Sequence, residues 1–429
     1  MDIVTERATR SAATFQYEGG CNPPLLRQLK QRVGSDFVPR WDLEWGGRWI
    51  LGNRTPGADA IRLDGNDYLC VTGHADIINA QMQAMCRDTD AVVQSGVFLT
   101  ERHPSRDLER ALAQWLGKED GVVCQSGYTA NVGLLQAIAD EETPVYLDAL
   151  AHASLWEGAR AARAPVHMFR HNDPEHLDRL MQRHGPGLAI VDSVYSTTGA
   201  LCPLTAMVEA TERKGSMILV DESHSLGTHG PAGAGLCQAL GLSHRVHFIT
   251  ASLAKAFAGR AGYFTVPREL RYYVLHKSFP NIFSSSLLPH EIAGLAATLR
   301  VIQRSDDART RLMTSARRLR ASLTWAGYPV YHGTEQIIAL EAGTESDTSA
   351  LRDQLEDAGI FGAIFCAPAT GKNRAMVRLT LNSGLTEAEL ARVETVTAEL
   401  AASLRPWDWP CARRASRGTR AAAAPTEAT

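Results

Sequence analysis

The sequence of 429 residues has no apolar run approaching the ~18 residues that a membrane span requires. It has no C-x-x-C pair. Its eight cysteines (Cys21, Cys70, Cys86, Cys124, Cys202, Cys237, Cys366 and Cys411) stand at no zinc-ligand spacing with a histidine, and no metal site is expected. The first fourteen residues hold Arg7, Arg10 and acids but no apolar stretch. No export signal is read there, and a cytoplasmic protein with reduced thiols is expected. Charge of one sign is also lacking: 44 basic and 47 acidic residues leave a net of -3, so no strong field recommends nucleic acid or an anionic membrane as a partner. G-x-S-x-G, H-E-x-x-H and G-x-x-x-x-G-K-[ST] are all absent, which removes the common hydrolase, zinc-protease and P-loop readings. Gly233-Ala-Gly235 lacks the third glycine of a dinucleotide loop.

What is present is an ordinary globular composition, 45% hydrophobic and 21% charged. Val122–Cys124, Val145–Leu147, Leu188–Val191, Met217–Val220 and His247–Thr250 are short, continuously apolar and bounded by turn residues, as strands buried on both faces should be. Helical patterns fall between them, such as Ser105–Leu116 with Leu108, Leu112 and Trp115 on one face. This alternation predicts an α/β fold with a mostly parallel central sheet flanked by helices. The pattern changes after Pro289. A helix over about Glu291–Gln303 precedes strands at Gln336–Leu340 and Met376–Leu381, and a final helix opens at Thr386 with Glu389 closing a capping box. Its apolar face is Leu390, Val393, Val396 and Leu400. The expected division is an N-terminal segment (1–60), a main catalytic domain (61–290), a small α+β domain (291–405) and a disordered tail (406–429). Within the first segment, Trp41, Trp45 and Trp49 lie four apart and predict one stripe on a short helix.

Two segments carry the chemistry. Asp221-Glu-Ser-His224 directly follows an apolar strand, where ligands of open α/β sheets bind. Alone, Asp221 reads more readily as a strand-end cap of the next turn. Thr250-Ala-Ser-Leu-Ala-Lys255 follows the next strand and surrounds a lysine with small residues; burial there lowers an amine toward its nucleophilic form. Ser252 and Lys255 also form S-x-x-K, but the S-D-N and K-T-G partners of penicillin-recognising acylases are missing. An acid ending one strand and a lysine after the next suit pyridoxal 5'-phosphate (PLP): the lysine bonds the aldehyde and the carboxylate holds the pyridinium proton. Gln125-Ser-Gly-Tyr-Thr-Ala-Asn131, a small-residue turn opening a helix, supplies a phosphate cradle.

These segments resemble the α-oxoamine synthases, fold-type I PLP enzymes, over about Asn66 to Leu400. The likeness is nearest to the cholera-type, autoinducer-making branch. It rests on Ser126-Gly-Tyr-Thr-Ala-Asn-Val-Gly-Leu-Leu-Gln136, His152-Ala-Ser-Leu-Trp-Glu-Gly-Ala-Arg160, Asp221-Glu-Ser-His-Ser-Leu-Gly-Thr-His-Gly230 and Thr250–Lys255. The resemblance implies that Lys255 is the Schiff-base lysine, Asp221 the pyridinium partner and His152 the ring-stacking histidine. It implies that His224 and Ser196 reach the cofactor 3-hydroxyl and that Ser126, Gly127, Tyr128 and Ser252 surround the phosphate. It places Ser285, with Ser284 and Ser286 as adjacent alternatives, against the phosphate of a neighbouring subunit in a homodimer. Asn66 and Arg378 are implied to hold the amino-acid carboxylate.

The implied reaction is a decarboxylating Claisen condensation of a fatty acyl-CoA with a small 2-amino acid such as 2-aminobutyrate, giving a long-chain α-aminoketone. Ser95-Gly-Val-Phe-Leu-Thr-Glu-Arg-His103 departs from the family's glycine-rich stretch by placing Phe98 and Leu99 there, and a G-T-x-G-K form is absent at the lysine. Both depart from a glycine or alanine donor. The competing expectations are a biosynthetic α-oxoamine synthase of the 8-amino-7-oxononanoate or serine palmitoyl type, a non-catalytic PLP regulator and an S-x-x-K acylase.

Overall fold

A computed structural model describes residues 23–87, 93–99, 101–331 and 333–414. Its strands are β1 (Ile61–Leu63), β2 (Asp120–Cys124), β3 (Val145–Asp148), β4 (Val166–Phe169), β5 (Leu188–Asp192), β6 (Met217–Asp221), β7 (Phe248–Ser252), β8 (Gly262–Val266), β9 (Ile337–Gly343), β10 (Ile360–Phe365) and β11 (Ala375–Thr380). Seven of them form one sheet in the order β2-β8-β7-β6-β5-β3-β4. Only β8 runs against its neighbours; the β7-β6, β6-β5, β5-β3 and β3-β4 pairs are parallel. The carboxyl ends of the parallel strands therefore share one edge, and Asp192 and Asp221 stand side by side in register there.

The five strands expected from apolar runs are β2, β3, β5, β6 and β7. The pattern missed β4, an edge strand whose side chains remain partly open to solvent, and the antiparallel β8. Helices on both faces bury two apolar clusters. One includes Leu134, Leu147, Leu155 and Phe264; the other includes Val191, Val220, Ile249 and Tyr263 and continues into the C-terminal region.

The second sheet has the order β1-β10-β11-β9. Its outer strand β1 comes from the N-terminal side and pairs parallel with β10, Ile61 opposite Ile360. The small layer is thus built from both ends of the chain. Its last helix, Glu387–Leu404, begins with the expected Thr386 and Glu389 capping box, and Leu390 and Val393 are buried.

Near the N-terminus, Leu25, Leu29, Val33, Phe37, Trp41, Trp45 and Trp49 recur every fourth residue. In a regular α-helix such a stripe drifts by roughly 40° per repeat. Here the helix Pro24–Arg32 is followed by π-helical turns at Val33–Phe37 and Arg40–Glu44. Their wider i→i+5 winding turns the stripe back. Phe37, Trp41, Trp45 and Trp49 consequently meet in one ring cluster, with Phe37–Trp45 and Trp45–Trp49 centroids at 5.5 and 5.4 Å. Trp45 Nε1 donates to Glu345, and Arg40 and Arg48 pair with Glu345, Asp353 and Glu356, fixing the segment on the helix Glu345–Asp357. The N-terminal segment is therefore partly helical over its described residues.

The tail reading also needs correction. Pro406–Asp408 forms a 3-10 turn, Trp409 and Cys411 are buried, and the Trp409 ring lies 5.6 Å from that of Tyr328. Arg414 pairs with the buried carboxylate of Glu341. Past the helix end at Leu404, the turn between Pro406 and Pro410 brings Trp409 and Cys411 back onto the small domain. Residues 415–429 lie outside the described part. Replacing a buried tryptophan by alanine costs about 3–5 kcal/mol, so Trp409→Ala should lower the urea midpoint of the small domain's unfolding. An unchanged midpoint, followed by tryptophan fluorescence and far-UV dichroism, would show that this turn is not part of the folded unit.

Candidate active site

Three features meet at the carboxyl edge of the large sheet: the end of β6, the turn after β7 and the start of the helix Gly127–Ile138. Together they line a cleft of about 220 Å³ that contains Ser126, Gly127, Tyr128, Asn131, His152, Asp192, Asp221, Ser223, His224, Ser252 and Lys255. The expected Asp221–Lys255 pairing is therefore spatial as well as sequential.

The helix start is shaped by close approach. Ser126 caps it, accepting from Thr129 N at 3.1 Å while Thr129 Oγ1 accepts from Ser126 N at 3.0 Å. At Gly127 an added Cβ would lie 2.5 Å from Ser252 Cβ, so only glycine lets the turn reach the β7 end. A helix N-terminus at such a turn favours an anion.

Asp221 is 4% exposed, and both carboxylate oxygens are engaged. Oδ1 accepts from Ser223 N at 2.9 Å and Oδ2 from Asn131 Nδ2 at 2.8 Å. Beside it, Asp192 is buried, and burial together with the Asp221 charge pushes its carboxyl well above the usual range.

The basic groups are shifted the other way. Burial lowers the Lys255 amine, the Arg378 charge lowers it further, and Asp221 opposes this in part. His152 opens into the cleft and caps the helix Ala153–Ala161, its Nδ1 accepting from Ser154 N. The cleft walls lower its pKa, with Asp221 acting against them and Lys255 with them. His224 is fully enclosed and held well below its ordinary pKa by burial, then by Lys255, Arg378 and His152. Its Nδ1 meets Tyr68 OH. Burial raises the Tyr68 phenol, which keeps its proton beside that ring nitrogen.

A second group lies against the small domain. Arg378, on β11, donates through Nη1 to Ser196 O at 2.8 Å and through Nη2 to Asn66 Oδ1 at 3.0 Å. Its guanidinium stacks over Phe365 at 4.4 Å from the ring centroid, and Nε is buried without a partner. Asn66, Ser196 and Arg378 are thus brought together. Ser285 is not brought to the cleft of its own chain. It is exposed, bridges Ser95 and accepts through its carbonyl from Gln125, while the Ser284 hydroxyl donates to Pro280 O at 2.5 Å. Phe98 is exposed, and Leu99 lines an adjoining hollow with Val122–Gln125 rather than the cleft. Sequence reasoning assigned no role to Tyr68, Asn131, Ser154, Asp192, Ser223 or Phe365. Asn131 and Ser154 lie inside the segments it quoted, and Tyr68 is two residues beyond Asn66, but only the fold shows what they touch.

An amine of lowered pKa, a buried carboxylate, a donor-rich turn that a Cβ would fill and a cation with an unpartnered N–H fit PLP and an amino-acid carboxylate. The model of aminotransferase classes I and II matches residues 58–395. The chain is 45% identical over 350 residues to the CAI-1 autoinducer synthase of Vibrio campbellii, covering 82% of this chain and 88% of that protein. It is 30% identical over 355 residues to the 8-amino-7-oxononanoate synthase of Anaeromyxobacter dehalogenans, covering 82% and 89%. Among solved structures, a serine palmitoyltransferase variant from S. paucimobilis with a bound PLP–myriocin aldimine superposes with a TM-score of 0.81 at 25% identity, over 88% of this chain and 99% of that one.

The depressed histidines set a pH dependence. A histidine kept neutral by folding is neutral in both states above its unfolded pKa of about 6.5, and below it the unfolded state gains the proton first. Stability should therefore be fully present above that value and decline as pH falls toward 5. His224→Gln should flatten the slope in urea titrations at pH 5–7. An equal slope in the variant would remove His224 as its source.

Proposed function

The chain belongs to the class I and II aminotransferase family, and from that membership we propose that it is a PLP-dependent α-oxoamine synthase. It joins a fatty acyl-CoA to a small 2-amino acid, with loss of CoA and CO2, to give a long-chain α-aminoketone that serves as precursor of an α-hydroxyketone autoinducer. The observation that carries the reading is the meeting of Lys255, Asp221 and His152 in one cleft, in a chain 45% identical to an autoinducer synthase.

PLP, when bound, supplies an aldehyde for amines and a ring that takes up the electron pair released at the amino-acid Cα. Every other part of the work falls to side chains. Lys255 bonds the aldehyde. Released by the incoming amino group, and held toward neutrality by burial and by Arg378, it takes the Cα proton. Asp221 would pair with the pyridinium nitrogen, its carboxylate oriented by Asn131 and Ser223 N–H. His224, its Nδ1 against Tyr68, would hold the cofactor 3-oxygen through its other ring nitrogen, and Ser196 would be the second partner of that oxygen. His152 covers a ring face. Ser126, Gly127, Tyr128 and Ser252 surround the phosphate. Arg378 and Asn66 take the substrate carboxylate, and the free Arg378 Nε–H is directed to it.

The assembly is a homodimer in this reading, with Ser285 reaching the phosphate of the partner's site. Phe279 and Phe283, 57% and 76% exposed near Ser285, support a covered face. A cytoplasmic location accords with the absence, among the described residues, of any helix long and apolar enough to cross a membrane.

Lys255→Ala should abolish both turnover and the visible cofactor band of the purified protein; turnover without this amine would exclude the assignment. A chain-length series of acyl-CoAs with 2-aminobutyrate tests the substrate class. Each buried CH2 contributes about 0.8 kcal/mol, so kcat/KM should rise steeply toward eight or more carbons. A maximum at pimeloyl-CoA, or a requirement for serine with palmitoyl-CoA, would favour a biosynthetic synthase and leave the α-oxoamine chemistry standing.

A further inference from the structure

We propose that Asn131 and Ser154 are positioning residues that connect Asp221 to His152, so that the carboxylate beneath the cofactor nitrogen also fixes the tautomer and orientation of the histidine on the ring face. The inference rests on the PLP reading above and goes beyond it.

The connection is continuous. Asn131 Nδ2 donates to Asp221 Oδ2 at 2.8 Å and to Ser154 Oγ at 2.9 Å, using both of its N–H groups. Ser154 Oγ, already an acceptor, has one proton, and its nearest further partner is His152 Nδ1 at 2.7 Å. Ser154 N also approaches Nδ1, at 3.3 Å. Two donors at one ring nitrogen require it to be unprotonated, so the His152 proton lies on Nε2. Each bond in the row thus determines the direction of the next, beginning at the Asp221 carboxylate.

The alternative arrangement is blocked. Turning the Asn131 amide over would set its carbonyl against the Asp221 carboxylate. The orientation present instead leaves Asn131 Oδ1 buried without a partner. An unpaired buried carbonyl is unfavourable and is retained where something else holds the group in place. Burial isolates the row: Asn131 is 2% and Ser154 0% exposed. The two carrying helices, Gly127–Ile138 and Ala153–Ala161, approach closely because Gly158 faces Leu135 and the Asn131 carbonyl, where a Cβ would lie 2.6 and 3.1 Å from them.

The test uses holoenzyme labelled with 15N-histidine, with the His152 signals assigned by their loss in His152→Asn. In the wild type, Nδ1 should show the shift of an unprotonated ring nitrogen and Nε2 that of a protonated one. Ser154→Ala and Asn131→Ala should each move these signals toward tautomer averaging. Each should also lower kcat about tenfold or more, with KM for the acyl donor changed less than about twofold, and the double variant should be no worse than the poorer single one, since groups acting as one unit are not additive. Ser154→Thr, which keeps the hydroxyl, should recover most of the loss. Unchanged His152 signals in Ser154→Ala, multiplicative losses in the double variant, or a Ser154→Thr as impaired as Ser154→Ala would each overturn the proposal. Failure of the enzymatic reading appears separately, as a wild-type protein without a cofactor band or a Lys255→Ala protein that still turns over.

Discussion

A guanidinium enclosed without a carboxylate governs this site. Arg378 is 4% exposed and, among the described residues, forms no ion pair; its partners are an amide oxygen, a backbone carbonyl and an aromatic face. Burying a charge on neutral partners alone is unfavourable, and the burden is relieved by an arriving anion. The same charge reaches its neighbours. It lowers the Lys255 amine and, with that amine, the His224 imidazole. The cleft thus sets a buried guanidinium beside nitrogen bases whose proton affinity it lowers.

The acids obey a matching rule. Three strands of the large sheet end in aspartate, β3 at Asp148, β5 at Asp192 and β6 at Asp221. Asp148 is satisfied by His171 and the Leu150 and Asn172 N–H groups, and Asp221 by Asn131 and Ser223. Asp192, between them, has only the long bond from His152 N at 3.3 Å, and burial raises its carboxyl. Donor supply therefore distinguishes three chemically equal side chains.

Much of this was legible in the sequence. Continuous apolar runs identified the five strands β2, β3, β5, β6 and β7, and a lysine and an acid at consecutive strand ends identified the chemistry, because parallel topology forces such ends onto one edge. What escaped detection has physical reasons. β4 is an edge strand and lacks a continuous apolar pattern. β10 is interrupted by Gly362, where a Cβ would come within 2.6 Å of Val377, so packing demanded a residue that weakens the apolar signal. The tail was expected to be disordered from Pro406 on, although Trp409 and Cys411 fold inward. Asn131, Ser154 and Tyr68 have no periodicity or spacing of their own; what they do is defined by contacts 23 to 156 residues distant in sequence.

The small sheet joins residues that leave the ribosome far apart in time. Ile61 must wait for Ile360, and Asn66, three residues past β1, meets Arg378 only once β10 and β11 exist. The large sheet, complete at Val266, needs neither. Long-range closure of this kind is slow relative to local pairing, and domains form largely in the order of synthesis. Lys255 is therefore on the nascent chain before Asn66 and Arg378 can meet. A chain stalled or clipped short of β11 retains the Lys255 amine and lacks the buried guanidinium.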